Sequence, residues 1–431
     1  METVSLRDEV VELLGELIRL DTVNPPGNET PAAELLRDYL AESGVESELY
    51  AKVPERANLV ARLPGRGGPS LLLLSHTDTV VAHPAEWQVD PWSGELRDGE
   101  VWGRGALDMK GQVAANAVTI ATLAREGFDP AGDLIFVAAA DEEVGQGFGL
   151  PWLCRQHPEA VRADYALNEG AGERIELLGR PFYLCSSAEK MSSPFRLRVR
   201  GRAGHTSMPG IADNALVKAA GLIERLAAYR PEQRLGPETE ALVRAVAGQP
   251  LAAEEALKLA KEVEPAAAEL LEPLLSLTLS PTMISASERR NVIPSLCEVV
   301  VDCRLLPEQT QAEAETAVRD VLGEDDYDLE WIEGHGGTRS PLETPFWDAI
   351  EGFVAEIEPQ ATLVPICVAG FTDSHWLREA FGTVAYGFFP LRTMNAQLAA
   401  RLVHSADERI AADDLELAVR CFRRVARTVC G

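Results

Sequence analysis

The chain has 431 residues, and 40 basic against 68 acidic side chains give a formal charge of −28, which sets its surface against nucleic-acid phosphates and anionic lipid headgroups. With 46% hydrophobic and 25% charged residues it has the composition of a soluble globular protein of two or three domains, which excludes the disordered and fibrous classes. No run reaches the roughly 18–20 apolar residues of a membrane span, the first residues do not read as a signal peptide, and seven cysteines without a CxxC pair suit reduced thiols in a cytoplasm.

Taken in chain order, Ser5 to Leu20 predicts a helix, with Val10, Leu13, Leu14, Leu17 and Ile18 on one face. Asn24-Pro25-Pro26-Gly27-Asn28 is a breaker, and Thr30-Pro31 predicts the cap of the next helix. Leu71 to Leu74 is continuously apolar, as expected of a strand covered on both faces. A helix over Met109–Glu126, a buried strand over Leu134–Ala140 and a strand at Tyr165–Leu167 follow. This alternation predicts an α/β domain with a mostly parallel sheet covered by helices.

The pattern changes near Tyr183. Phe195 to Arg200 alternates apolar and basic residues, predicting a strand with one wet face. A helical stretch from Asn214 to about Leu275 is broken at Pro231, Pro237, Pro250 and Pro265. A strand over Leu296–Arg304, a helix over Glu308–Leu322 and a strand over Tyr327–Ile332 complete an α+β module. From Gly334 the α/β alternation returns and ends in a helix over Asp413–Val429. The expected organisation is an α/β domain in two parts, residues 1–182 and 335–431, interrupted by an inserted α+β lid, residues 183–334.

The chemistry gathers at strand ends. Ser75-His76-Thr77-Asp78 follows the apolar strand, where open α/β sheets place ligands. His76 and Asp78 lie two apart, so they point the same way in extended chain. One can bind a metal while the other orients it, although a His and an Asp also cap loops. Asp108, after a Gly-rich segment and just before a helix, equally suits a helix N-cap. Asp141-Glu142-Glu143 puts three acids at the end of a buried strand, where they repel unless something positive holds them or water solvates them. Glu169 ends the next strand in the same way, and His404 precedes the last helix. Two imidazoles and several carboxylates collected at one sheet edge suit two divalent cations.

The HxD segment, Gly103-Arg104-Gly105-Ala106-Leu107-Asp108-Met109-Lys110-Gly111, the Glu142-Glu143 pair, Glu169 and His404 together resemble one dinuclear zinc family. It contains aminoacylase, carboxypeptidase G, succinyl-diaminopimelate desuccinylase and acetylornithine deacetylase. The resemblance spans essentially the whole chain. It extends to Gly201-Arg202-Ala203-Gly204-His205-Thr206-Ser207-Met208-Pro209, to Asn291-Val292-Ile293-Pro294 and to Asp302-Cys303-Arg304. The long helical stretch of the insert is similar to the carboxypeptidase S branch.

The resemblance implies that Asp108 bridges two metals, most simply zinc with cobalt or manganese as substitutes. His76 and Glu169 would complete one shell and Glu143 and His404 the other, with Asp78 behind His76. Glu142 would be the general base, and His205, often reaching a partner subunit's site, would stabilise the oxyanion. Asn291, Arg304 and Gly370 would bind substrate, although a salt bridge for Arg304 and a turn amide for Asn291 fit as well. The implied reaction is hydrolysis of an amide bond in an N-acyl amino acid or short peptide with a free carboxylate, by a cytoplasmic homodimer with no nucleic-acid or membrane partner.

One departure is Phe371, in Gly370-Phe371-Thr372-Asp373-Ser374-His375, where relatives carry a second glycine. His375 reads as a solvent-facing helix-start residue; His83, His157 and His335 read as structural, and the cysteines as small buried apolar residues. Two rival readings are a catalytically silent metal-binding scaffold of the same fold and a mononuclear iron oxygenase using His76, Asp78 and His404 as a facial triad.

Overall fold

The Leu71–Leu74 run lies in the middle of a nine-stranded sheet. The structure is a computed structural model that describes residues 5–263, 268–269 and 271–431. The strands run in the order Ser47–Ala51, Ala57–Leu63, Leu134–Ala139, Leu71–His76, Tyr165–Asn168, Val384–Gly387, Arg180–Glu189 and Thr362–Val368, with Arg174–Leu177 paired to Arg180–Glu189. The four from Leu134–Ala139 to Val384–Gly387 are parallel, and antiparallel pairings extend the sheet on either side.

The leucine run serves both faces. Leu71 and Leu73 pack with the first helix, Leu6–Ile18, and the last, Ala412–Val429, whereas Leu72 and Leu74 pack with Leu150, Leu153 and Leu377 on the other side. Phe136 and Ile135 divide in the same way. A strand's period of two distributes such a run between two helical layers, which is why it needs no polar residue. The Lys110–Arg125 helix is buried from Lys110 to Leu123.

The chain divides into two compact units. One comprises the residues up to Ser187, Ser340–Ile366 and Thr372–Gly431; the other comprises Ala188–Arg339 and Cys367–Phe371. The short Cys367–Phe371 piece had no counterpart in the sequence reading. Where the chain leaves and re-enters the first unit, the Ser340 N–H donates to the Ser187 carbonyl at 2.8 Å. Just inside the second unit, the Glu189 N–H donates to the Thr338 carbonyl at 3.1 Å.

In the second unit, Phe195–Arg200 lies between Leu296–Leu305 and Tyr327–Trp331, and Thr278–Ser285 and Met191–Ser192 also pair with Leu296–Leu305. Phe195, Leu197 and Val199 face the helices Ala215–Ala228 and Gln311–Leu322. Arg198 and Arg200 stand on the wet face, paired at 2.7 Å with Glu298 and at 2.9 Å with Asp328. Thr310 and Glu313 close a capping box on the Gln311–Leu322 helix.

Among the described residues, the Pro-broken stretch includes the helices Ala215–Ala228, Pro237–Ala247 and Ala253–Val263. The break at Pro265 lies outside the described residues. The cap expected at Thr30 is corrected: Thr30 is the first helical residue, Glu29 takes the N-cap position, and the Thr30 hydroxyl donates to the Pro54 carbonyl at 2.6 Å. Among the described residues, no helix is long and apolar enough to cross a membrane.

Candidate metal centre

Sheet register brings the predicted acids and imidazole to one edge. His76 is opposite Ala139 on the parallel neighbour, and Tyr165–Asn168 runs parallel on the other side, so His76, Asp141-Glu142-Glu143 and Glu169 all leave the same edge. The His76 ring is 1% exposed, and its Nδ1 sits 3.1 Å from the Asp78 carbonyl and 3.4 Å from the Asp78 carboxylate. With Nδ1 held there, Nε2 is the nitrogen turned toward the cluster.

Asp78 does more than orient His76. Its Oδ1 accepts the Glu142 N–H and its Oδ2 the Glu143 N–H, both at 3.1 Å, and Asn24 Nδ2 donates to Oδ2 at 2.9 Å. The carboxylate therefore holds the turn that carries both glutamates.

Asp108 sits between the two imidazoles. Its Oδ1 is 3.1 Å from His76 Nε2 and its Oδ2 is 3.0 Å from His404 Nε2. It is not a helix cap, because Met109 occupies that position without a side-chain bond. His404 Nε2 is also 3.2 Å from Glu143 Oε2, and His76 Nε2 is 3.9 Å from Glu169 Oε1. Two groups of three donors result, His76–Asp108–Glu169 and Asp108–Glu143–His404, each with its ligand atoms within 4.8 Å of one another.

The charges are unbalanced, and the proton affinities record it. Burial, then the charge of Asp108, pushes Glu169 up to about 8. Burial raises Glu143, and burial followed by the charge of Glu169 raises Glu142 well above the carboxylate range. Hydrogen bonds to Asp108 and Glu143 lift His404 to about 10. For Asp108 burial works upward, but the bonds from His404 and His76 outweigh it and hold the carboxyl well below its usual range. Glu143 Oε1 is buried without any hydrogen-bond partner. Imidazole nitrogens, a shared carboxylate and an unpartnered buried oxygen fit two divalent cations.

The facial triad of the oxygenase reading does not assemble. The Asp78 carboxylate is spent on two backbone N–H groups and Asn24, and the two histidines address opposite oxygens of Asp108.

The remaining predicted residues belong to the second unit. His205 pairs with Val292 in a two-stranded ribbon, and the Asn291 carbonyl accepts the Thr206 N–H at 3.3 Å. His205 is exposed, and its Nδ1 accepts the Ser207 N–H at 3.2 Å and lies 2.8 Å from the Ser207 hydroxyl. The Arg304 guanidinium lies against Asp302 at 2.9 and 3.1 Å, the salt bridge that its sequence context had left open. Gly370 is exposed. The expectation that His375 faces solvent is corrected: it is 5% exposed, because the Ser374–Phe381 helix buries its first turn, with Ser374, His375, Leu377 and Arg378 all inside. All seven cysteines are free; six are buried and Cys154 is half-buried.

Sequence reasoning missed Glu408. This wholly buried carboxylate accepts the N–H groups of Gly105, Leu107 and Asp108 at 3.0, 2.7 and 3.0 Å and pairs with Arg104 at 2.5 Å. It joins the Asp108 loop to the His404 segment. Its only sequence signal was an acid four residues after His404. Asp373, also buried, adds negative charge felt by Glu142 and Glu169.

The family model described as Peptidase family M20/M25/M40 matches residues 72–428. A succinyl-diaminopimelate desuccinylase of Thioalkalivibrio sulfidiphilus is 27% identical over 440 residues, covering 97% of this chain and 98% of its own. Aminoacylase-1 of Sus scrofa is 28% identical over 93% of this chain and 90% of its own. The M20 family metallo-carboxypeptidase Sso-CP2 from Sulfolobus solfataricus shares the fold with a TM-score of 0.75 at 18% identity, over 98% of this chain and 99% of its own.

Proposed function

Because the chain belongs to peptidase family M20/M25/M40, we propose that it is a metallohydrolase that cleaves an amide bond in a small substrate carrying a free carboxylate, an N-acyl amino acid or short peptide. The observation that carries this reading is Asp108, with one oxygen toward His76 and the other toward His404, each pair completed by a glutamate. Relatives named as a desuccinylase and an aminoacylase support an acyl–nitrogen bond as the target.

Two divalent cations, zinc first with cobalt or manganese as substitutes, would polarise the scissile carbonyl and lower the pKa of a water between them. In this reading His76, Asp108 and Glu169 hold one cation and Asp108, Glu143 and His404 the other. Asp78 keeps His76 and the Glu142-Glu143 turn in place. Glu142 takes the proton as the water oxygen attacks the carbonyl carbon, then returns it to the nitrogen as the C–N bond breaks. The Nε2–H of His205 donates to the carbonyl oxygen as it gains charge, and Asn291, Arg304 and Gly370 bind substrate.

Residues 183–334 serve as lid and dimerisation domain of a cytoplasmic homodimer. Exposed apolar side chains of the Thr278–Ser285 strand, Met283 at 66% and Ile284 at 52%, support an interface there, as does Val217 at 67%. Seven free cysteines support a reducing compartment.

The test is elemental analysis of metal per chain after zinc reconstitution, with turnover measured on a panel of N-acyl amino acids and dipeptides. About two ions per chain are expected, falling to about one in His404→Ala. One iron, or full occupancy with no turnover on any panel member, overturns the reading. His205→Ala is expected to lower kcat by about 10²–10³-fold with the metal content intact; steady-state kinetics on metal-loaded protein checks it.

A further inference from the structure

Behind the proposed site lies a buried polar chain that the hydrolytic reading does not use. Arg56 is 3% exposed and Glu29 wholly buried. The guanidinium grips Glu29 with Nε at 2.5 Å and Nη2 at 2.7 Å, reaches Asp141 Oδ1 from Nη2 at 3.2 Å, and donates from Nη1 to the Pro26 carbonyl at 3.0 Å. Its carbon lies 4.9 Å from the centre of the Phe148 ring. Gly27 makes room, since a side chain there would overlap the guanidinium and φ is +81°.

Asn24 continues the chain. Its Nδ2 donates to Asp141 Oδ1 at 3.0 Å and to Asp78 Oδ2 at 2.9 Å, while its Oδ1 is buried without a hydrogen-bond partner. The side chain thus serves as a double donor between two buried carboxylates, which would otherwise repel. Asp141 itself stands at φ 64° and accepts the Phe148 N–H at 3.0 Å. The two ends of the 141–148 segment are joined by the bond from the Phe148 N–H to Asp141, and Asp78 holds the segment through the N–H groups of Glu142 and Glu143.

We propose that Arg56 and Asn24 are positioning residues: by bridging Glu29, Asp141 and Asp78 they fix the turn that presents Glu142 and Glu143, and so set the rate of the hydrolytic step rather than substrate affinity. This rests on the hydrolase reading for its kinetic consequence only. Four separate segments, 24–29, Arg56, Asp78 and 141–148, meet through one guanidinium and one amide. A bidentate fork is the group that can join a carboxylate and a second acceptor without spare freedom, which a lysine ammonium cannot reproduce.

The experiment uses the zinc-reconstituted full chain as wild type, Arg56→Lys, Asn24→Leu, and the double variant Arg56→Met with Glu29→Gln. The double variant removes Glu29 together with its cation, so that Asp141 is the one buried carboxylate that loses a charged partner. Three readouts are taken: melting temperature, amide hydrogen exchange of the 141–148 peptide, and kcat and KM on whichever N-acyl amino acid or dipeptide the wild type cleaves.

Exchange in 141–148 should rise by about tenfold and kcat should fall by about 10–100-fold with KM within about threefold, Arg56→Lys recovering part of the loss. Lower melting temperature with wild-type exchange at 141–148 and wild-type kcat per bound metal assigns the network to general stability and overturns the proposal. If the wild type cleaves no panel member, the hydrolase reading fails, and the exchange of 141–148 still decides the positioning role by itself.

Discussion

Asp108→Asn is expected to empty both metal positions at once and to lower turnover by at least about 10⁴-fold, since bound metal supplies nucleophile and electrophile together. The side chain is the one member common to both donor groups. Its amide replacement keeps the shape and still accepts through one oxygen, but it presents an N–H toward one of His76 and His404, where each now meets a carboxylate oxygen. Without cation, the variant should melt below the wild-type temperature, because the bonds from His404 and His76 that hold the Asp108 carboxyl well below its usual range stabilise the folded state and are weakened by the amide.

The separation shows on adding zinc. Ligand at a hundred times its dissociation constant stabilises the folded state by about 2.7 kcal/mol, worth several degrees in a protein of this size. That shift should appear in wild type and vanish in Asp108→Asn. Calorimetry with and without zinc, beside elemental analysis, measures both. An equal shift with two ions still bound would show that Asp108 is not shared.

Glu142→Ala should do the opposite to binding and much the same to rate. Glu142 belongs to neither donor group, and its Oε2 is 3.9 Å from His76 Nε2, beside the donors rather than among them. Its N–H bond to Asp78 is a backbone bond and survives the change. Metal content and melting shift should therefore match wild type, with kcat lower by about 10²–10⁴-fold and KM little altered, as for loss of a general base. A variant with near-wild-type kcat would move the proton transfer elsewhere. The pair separates two roles that one activity assay merges: Asp108 fails at occupancy and Glu142 at chemistry.

The five strand-end and loop-end positions were legible because each sits in a short local pattern. A buried strand needs a continuous apolar run, and whatever polar residue ends that run is delivered to the sheet edge. The supporting residues had no such signature. Arg56 and Glu29 are 27 positions apart, and Glu408 is 300 from Asp108, so nothing local marks them as partners. The long separation also hid how the three acids at 141–143 are tolerated: the positive group is Arg56, which acts on Asp141 and leaves Glu142 and Glu143 to the site. His375 went wrong for a related reason. Polar residues usually begin helices in water, but the Ser374–Phe381 helix starts inside the first unit, and packing outweighed that local preference. Thr30 failed as a cap because its hydroxyl found the Pro54 carbonyl instead.

The adjacent bonds at Ser187–Ser340 and Glu189–Thr338 bear on how such a chain came to be built. To the catalytic unit, the long excursion between them is a hairpin whose two legs already touch, so closing it asks almost nothing more of the chain when the excursion lengthens. Lengthening there is a change of cargo on a fixed handle. Helices such as Pro237–Ala247 and Ala253–Val263, with their own small apolar cluster around Val243, Leu257 and Leu275, can then be gained or lost while the candidate metal ligands on the sheet keep their register. Such a chain can acquire or shed helices by editing the excursion, under selection that never has to touch the sheet.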